Sequence, residues 1–140
     1  MTTRADRITQ LQKAPEIFSD FMSAFTSHPV SHDLARIKNE QSIKQALRNI
    51  IMTGLGERPF QPYIGSDIEK SLFEMDDEIA AEAIRSAIEI SIYNSEPRVS
   101  VIELIVTSFP LENKVGVNLV FSIVNSTVIQ SINLILRRVR

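Results

Sequence analysis

No cysteine occurs in these 140 residues, which removes disulfides, thiolate metal sites and thiol nucleophiles together and fits a reducing compartment. Tryptophan is absent and tyrosine occurs only twice, so nothing suggests an aromatic-lined sugar cleft. Neither sign of charge prevails. Fifteen basic and 17 acidic residues leave a net charge of −2, and no global field draws the chain to nucleic acid or an anionic membrane. No apolar run approaches the roughly 20 residues of a membrane span. Met1 to Leu11 is polar and mixed in charge, which does not read as a signal peptide. A nucleophile elbow, a phosphate-cradling glycine loop and a dinucleotide fingerprint are missing as well. What is present is ordinary for a soluble, intracellular-type globular protein: 44% apolar and 23% charged residues, enough chain for one domain with a real core.

Residues 1–14 are polar and are expected to form a flexible segment ahead of a single domain over 15–140. Phe18, Phe21 and Phe25 suit either a short amphipathic helix or an extended arm lying on the domain. His28 to Asp33 reads as a loop. Ser42 followed by Gln45 matches a capping box, and Ile43, Ala46, Leu47, Ile50 and Ile51 make one apolar face. Lys44, Gln45, Arg48 and Asn49 lie opposite, and Gly54 and Gly56 supply the stop. A second capping box, Ser66 with Glu69, is expected to open a short helix carrying Ile68, Leu72 and Phe73. Asp76, Asp77 and Glu78 place negative charge where the dipole of the next helix favours it. That longer helix carries Ile79, Ala83, Ile84, Ala87, Ile88 and Ile92 as its buried stripe, with the alanines predicting a close neighbour.

Glu96-Pro97-Arg98 marks the change from helical to strand rhythm, because proline cannot continue a helix and biases the residue before it toward an extended conformation. Residues 99–107 are β-branched and apolar on both faces, which predicts a central, covered strand. Residues 115–123 alternate, and Pro110, Glu112, Asn113 and Lys114 lie in the loop of a hairpin. Beyond Asn125-Ser126-Thr127, residues 128–136 fit a third strand and also a helix. Helices first and strands after predict an α+β fold, N-terminal helices packed on a C-terminal antiparallel meander.

His28, His32 and Asp33 resemble a metal pair, but Pro29 interrupts helical spacing and no third ligand cluster stands out. No metal site and no cofactor are expected. Glu57, Glu74, Asp76, Asp77 and Glu96 are available acids; most sit at helix starts, where the dipole already accounts for them. Arg137, Arg138 and Arg140 make a basic C-terminus that reads as a solvated tail, a weak nucleic-acid signal without interleaved aromatics. Glu57-Arg58 and Glu96-Arg98 each hold opposite charges beside a proline. The residues leave two readings open: local braces, or pre-stiffened docking points that lose little entropy on binding.

An ordered series of motifs favours docking. Asn39-Glu40-Gln41-Ser42-Ile43-Lys44, Arg48-Asn49-Ile50-Ile51-Met52-Thr53, Gly56-Glu57-Arg58-Pro59-Phe60, Pro62 with Ile64-Gly65-Ser66, Leu72-Phe73-Glu74 and Glu96-Pro97-Arg98 follow one another. In that order they resemble the small baseplate wedge protein of contractile-tailed bacteriophages, whose relatives serve in the baseplate of type VI secretion systems. Asp33 also fits the Pro-x-x-x-Asp stretch of the large-phage branch. The resemblance covers the chain from about Phe18 to the C-terminal strands. It implies a structural, non-enzymatic virion protein of the tail baseplate, assembled in the host cytoplasm and present in multiple copies in a symmetric baseplate. It further implies docking on other wedge proteins and initiation of the tail sheath, with no nucleic acid and no membrane as partners. Glu96, Pro97 and Arg98 take the partner-binding role by this resemblance, joined by Gly56, Glu57, Arg58 and Pro59. A lysozyme-like glycoside hydrolase is the alternative.

Overall fold

A computed structural model describes residues 17–68, 71, 77–124, 126 and 128–137. The expected flexible segment 1–14, the acids Glu69, Glu74 and Asp76, the apolar pair Leu72 and Phe73, the turn residues Asn125 and Thr127, and Arg138 and Arg140 lie outside the described residues.

The phenylalanine-bearing segment is extended. Strand β1 (Ser19–Phe21) pairs antiparallel with β2 (Arg36–Lys38), Asp20 standing opposite Ile37. The loop between them is closed by a Ser27–Leu34 bridge and by His28, whose Nδ1 accepts the N–H groups of Val30 and Ser31 at 3.3 and 3.2 Å. The histidine thus holds a turn.

Helix α1 (Glu40–Met52) buries Ile43, Leu47, Ile50 and Ile51, spaced three and four apart as one face requires. The Ser42–Gln45 capping box does not form. The helix begins two residues earlier, with Asn39 at the N-cap position, so Ser42 falls inside the first turn and is buried. Met52 ends the helix, and Thr53 turns to an extended conformation ahead of the expected glycine stop. Gly54 then bridges to Ser66 in parallel fashion, and the Ser66 hydroxyl donates to the Ile51 carbonyl at 2.8 Å. Ser66 therefore helps to close the end of α1, and Glu69, its expected partner in a capping box, lies outside the described residues.

Helix α2 (Asp77–Ser95) buries Ala80, Ile84, Ile88, Ser91 and Ile92. Ile79, assigned to this stripe from spacing, is 66% exposed, because Ala80 takes the inward position one residue on. After Pro97 come three antiparallel strands: β3 (Val99–Phe109), β4 (Lys114–Ile123) and β5 (Ile129–Arg137), in spatial order β3-β4-β5. Strand β4 alternates buried and half-buried residues without a break. It is the central strand. Strand β3, read from its apolar run as central, is an edge: it pairs with β4 alone, and its Ile102 and Ile105 face outward, about half exposed. The register slips between Val101 and Glu103, so Ile102 is the extra residue of a β-bulge. No slip occurs along β5, whose pairing runs unbroken from Lys114–Arg137 to Ser122–Ile129.

Both helices cover the inner face of the sheet. Ile43, Leu47, Ile84, Ile88, Leu104, Leu119, Phe121 and Leu134 belong to one cluster, with Phe121 the largest fully buried side chain among the described residues. Burying it contributes about 2–3 kcal/mol by area removed from water. The helix-on-meander arrangement is the α+β fold that the order of elements predicts.

Gly65 makes the loop after α1 possible. Its φ is +137°, and a Cβ there stands 2.5 Å from the Thr53 carbonyl oxygen, whereas Gly56, at φ +83°, has open space around it. Gly65→Ala is expected to lower stability by about 2–4 kcal/mol through left-handed strain plus a backbone clash. Gly56→Ala, which adds strain alone, is expected to cost about 1 kcal/mol. Urea unfolding of the two variants checks the ranking.

Candidate functional site

The Gly56–Pro59 stretch lies in the loop that follows α1. Glu57 does not pair with Arg58; its carboxylate folds back to accept the Gly54 N–H at 2.8 Å. Arg58 makes no ion pair among the described residues. Its carbonyl accepts the Gln61 N–H, and the Gly56 N–H donates to the Pro62 carbonyl, which ties the loop into a tight knot. Phe60 is held at its tip with φ 68° and is fully exposed, with Tyr63 nearly so. Positive φ on a bulky residue is uncommon and strained. No hydrogen bond or ion pair joins this loop to Glu96, Pro97 or Arg98 among the described residues. The two charge sets are separate features.

Sequence reasoning missed what holds the N-terminal arm. Asn39 Oδ1 accepts the N–H groups of Ile17 and Phe18 at 3.0 and 3.3 Å, and the Asn39 N–H donates to the Phe18 carbonyl at 2.7 Å. One turn into α1, Gln45 grips the arm from both sides: its Nε2 donates to the Phe21 carbonyl at 2.8 Å and its Oε1 accepts the Ser23 N–H at 3.0 Å. Asn39 has φ 49° with ψ −119°, outside the left-handed helical region and strained for a residue with a side chain, and these hydrogen bonds hold it there. A sequence signal was available in the preference of asparagine for the N-cap position, but the Ser42–Gln45 spacing pointed to a different local structure.

Glu96 and Arg98 come together at the corner between α2 and β3. Glu96 is only 4% exposed. Its two carboxylate oxygens accept from Arg98 Nε at 2.5 Å and Nη2 at 2.6 Å, a fork of charge-assisted bonds. Arg98 stands half in solvent, and its guanidinium lies 5.1 Å from the centroid of the Phe18 ring. The hydrogen bonds to Glu96 raise the Arg98 pKa above its ordinary value, against a smaller opposing effect of burial. Pro97 lets the chain turn: the Val99 N–H reaches the Glu96 carbonyl at 3.2 Å and the Glu96 N–H ends α2 on Ile92 at 2.8 Å. The glutamate is a brace, and the arginine is the half of the pair with a face toward solvent.

Two acids elsewhere are likewise engaged. Lys114 holds Glu112 at 2.7 Å and lowers its pKa through that hydrogen bond, and Arg85 meets Glu89 at 3.3 Å. Among the described residues no three His, Cys, Asp or Glu side chains group as metal ligands, and no helix is long and apolar enough to cross a membrane.

Removing the Arg98 guanidinium leaves a buried carboxylate without its partner. Arg98→Ala is expected to lower unfolding free energy by about 2–4 kcal/mol, toward the low end because the arginine is partly solvated. Arg98→Lys keeps charge but loses the fork and is expected to cost about 1 kcal/mol. Denaturant titration at neutral pH separates the two.

Comparison with known proteins places the fold. Residues 38–132 match the family described as baseplate wedge protein gp25. The baseplate wedge protein gp25 of Enterobacteria phage T4 is 39% identical over 67 residues, 48% of this chain and 51% of the relative, so the chain spans about half the length of that curated relative. Among solved structures, a Geobacter sulfurreducens protein provisionally named as a tail lysozyme superposes with a TM-score of 0.66 at 17% identity, covering 72% of this chain and 92% of the other. A chain of the anti-feeding prophage baseplate gives 0.61 at 18% identity, with 88% and 87% covered. A chain of the post-contraction pyocin R2 baseplate gives 0.55 at 20%, with 70% and 96% covered. At these identities the structures share the fold. The match over residues 38–132, more than half the sequence, settles the kinship: this chain belongs to the baseplate wedge protein gp25 family.

Proposed function

We propose that this protein is a structural component of a contractile-tail baseplate wedge that docks on the wedge core and starts tail-sheath assembly. The observation that carries the second half is the outer edge of β5. An extended chain adds to an open strand through main-chain hydrogen bonds, which fix the orientation of the incoming subunit. Strand β5 has nine ladder partners on one side and, among the described residues, no strand on the other. The opposite edge, β3, carries the Ile102 bulge, a device that blunts pairing. An unbulged, paired-on-one-side strand is therefore the receptive edge. Of the strand and the helix that residues 128–136 fit, the strand forms, over Ile129–Arg137, with Ser131 and Asn133 on its exposed side.

Wedge docking is assigned to Arg98 and Pro97 at the corner and to the Gly56–Pro59 loop. Glu96 serves that surface from beneath by aiming the guanidinium. A non-enzymatic role is supported by the family match of residues 38–132 to a baseplate wedge protein. The hydrolase reading rests on the provisional name of the Geobacter sulfurreducens structure. Turnover of purified peptidoglycan, lost on changing one carboxylate, is the result that revives it.

Two expected outcomes test the proposal. Replacing both charges, Glu96→Gln with Arg98→Gln, keeps a hydrogen-bonding pair without burying a lone charge, so the double variant is expected to fold with near-native stability. Co-expressed with the other wedge proteins, it is expected to be left out of the purified wedge; normal incorporation removes the docking role from the corner. A photo-crosslinking amino acid at Asn133 is expected to capture sheath protein in assembling baseplates, whereas one at Thr107 on β3 is not. Capture from Thr107 alone places the sheath on the other edge.

A further inference from the structure

Beside the β5 edge runs a groove of about 600 Å³, walled on one side by Lys44, Gln45, Arg48 and Asn49 of α1 and on the other by Ser131 to Leu134. Glu40 and Gln130 join the walls at one end through a 2.8 Å hydrogen bond. From there the helix and the strand advance together, residues 44–49 facing residues 131–134. No acid lines the groove. Lys44 and Arg48 make no ion pair among the described residues, and Gln45 is occupied by the arm. Among the described residues the charges lining the groove itself are Lys44 and Arg48, while Glu40 stands at its end with a carboxylate oxygen taken by Gln130.

Their spacing is informative. Four residues of helix advance about 6 Å, and two residues of strand advance about 6.6 Å. Lys44 and Arg48 are four apart on α1. A strand laid along β5 places every second side chain on the face turned toward α1, so its alternate positions fall in step with the two cations. We infer that the segment captured by β5 is an acidic strand, with carboxylates at alternate positions turned toward Lys44 and Arg48. This rests on the reading of β5 as the receptive edge and adds the chemistry of what pairs there. Main-chain bonds supply attachment, and the cations select among strands and fix register, since a one-residue slip turns the carboxylates to the opposite face.

Ten-residue peptides provide the probe: glutamate at alternate positions with threonine and valine between, the same peptide with lysine for glutamate, and an N-methylated form of the first. Fluorescence anisotropy on the full chain at low salt is expected to give about tenfold tighter binding of the glutamate peptide than of the lysine peptide, the gap narrowing as salt is raised. Lys44→Glu with Arg48→Glu is expected to reverse the order. Both positions face solvent or the groove, and circular dichroism of the double variant checks that the fold is kept. Equal binding of the two peptides, or binding of neither, overturns the acidic preference. N-methylation distinguishes the underlying reading: if the glutamate peptide binds selectively but survives N-methylation on alternate residues in both registers, the charge selection stands and strand addition to β5 falls.

Discussion

A carboxylate withdrawn from water has to be met, and in this protein that requirement organises the corner on which the domain turns. Glu96 is buried at the last turn of α2, and Arg98 answers it with two nitrogens from just across Pro97. The answer has consequences beyond the pair. With Nε and Nη2 committed to the glutamate, the guanidinium plane is fixed, and Phe18 lies against it. Through Phe18 and Asn39 the arm is joined to the start of α1. Helix α2, strand β3, the arm and α1 thus meet around one ionic contact. Hydrophobic burial supplies most of the free energy, as the isoleucine-rich cluster indicates, but it is indifferent to direction. The pair supplies the direction.

The same contact recasts the choice between brace and docking point. A buried ion pair is weak evidence for stability, since its attraction is offset by desolvation. It is stronger evidence for geometry. A partly exposed arginine held by a buried glutamate keeps its remaining donor groups aimed, so little conformational freedom is left to lose when a partner arrives. The buried glutamate braces the corner, and the proposed docking role falls to the arginine alone.

Much of the fold was legible because its periodicities were strong. The β4 alternation and the α1 face of Ile43, Leu47, Ile50 and Ile51 needed no more than side-chain geometry. Pro97 marked the helix-to-strand change at the right place. Errors arose where a short pattern has two structural outcomes. Ser42 and Gln45 have the spacing of a capping box, yet Asn39 takes the N-cap position and Gln45 is spent on the arm. The apolar run of β3 is what a central strand displays, but outward Ile102 and Ile105 also suit an edge strand whose outer face is left uncovered. In a meander the second of three consecutive strands lies in the middle, and the apolar composition of β3 pointed against that order. The family motifs located the corner, while only coordinates separated the buried glutamate from the solvent-facing arginine.

One consequence of the Ile102 bulge concerns time rather than shape. Its two edges are unlike, one kinked and one straight, so the sheet is a polar object with a front and a back. A symmetric sheet released into a cell before its partners arrive can stack on copies of itself from either side and grow without limit. With one side spoiled, two copies that meet edge to edge bury their single good edge in a closed pair and have nothing left to extend. Such a pair has no second good edge to offer. The bulge thereby removes one of the two surfaces on which an open filament depends.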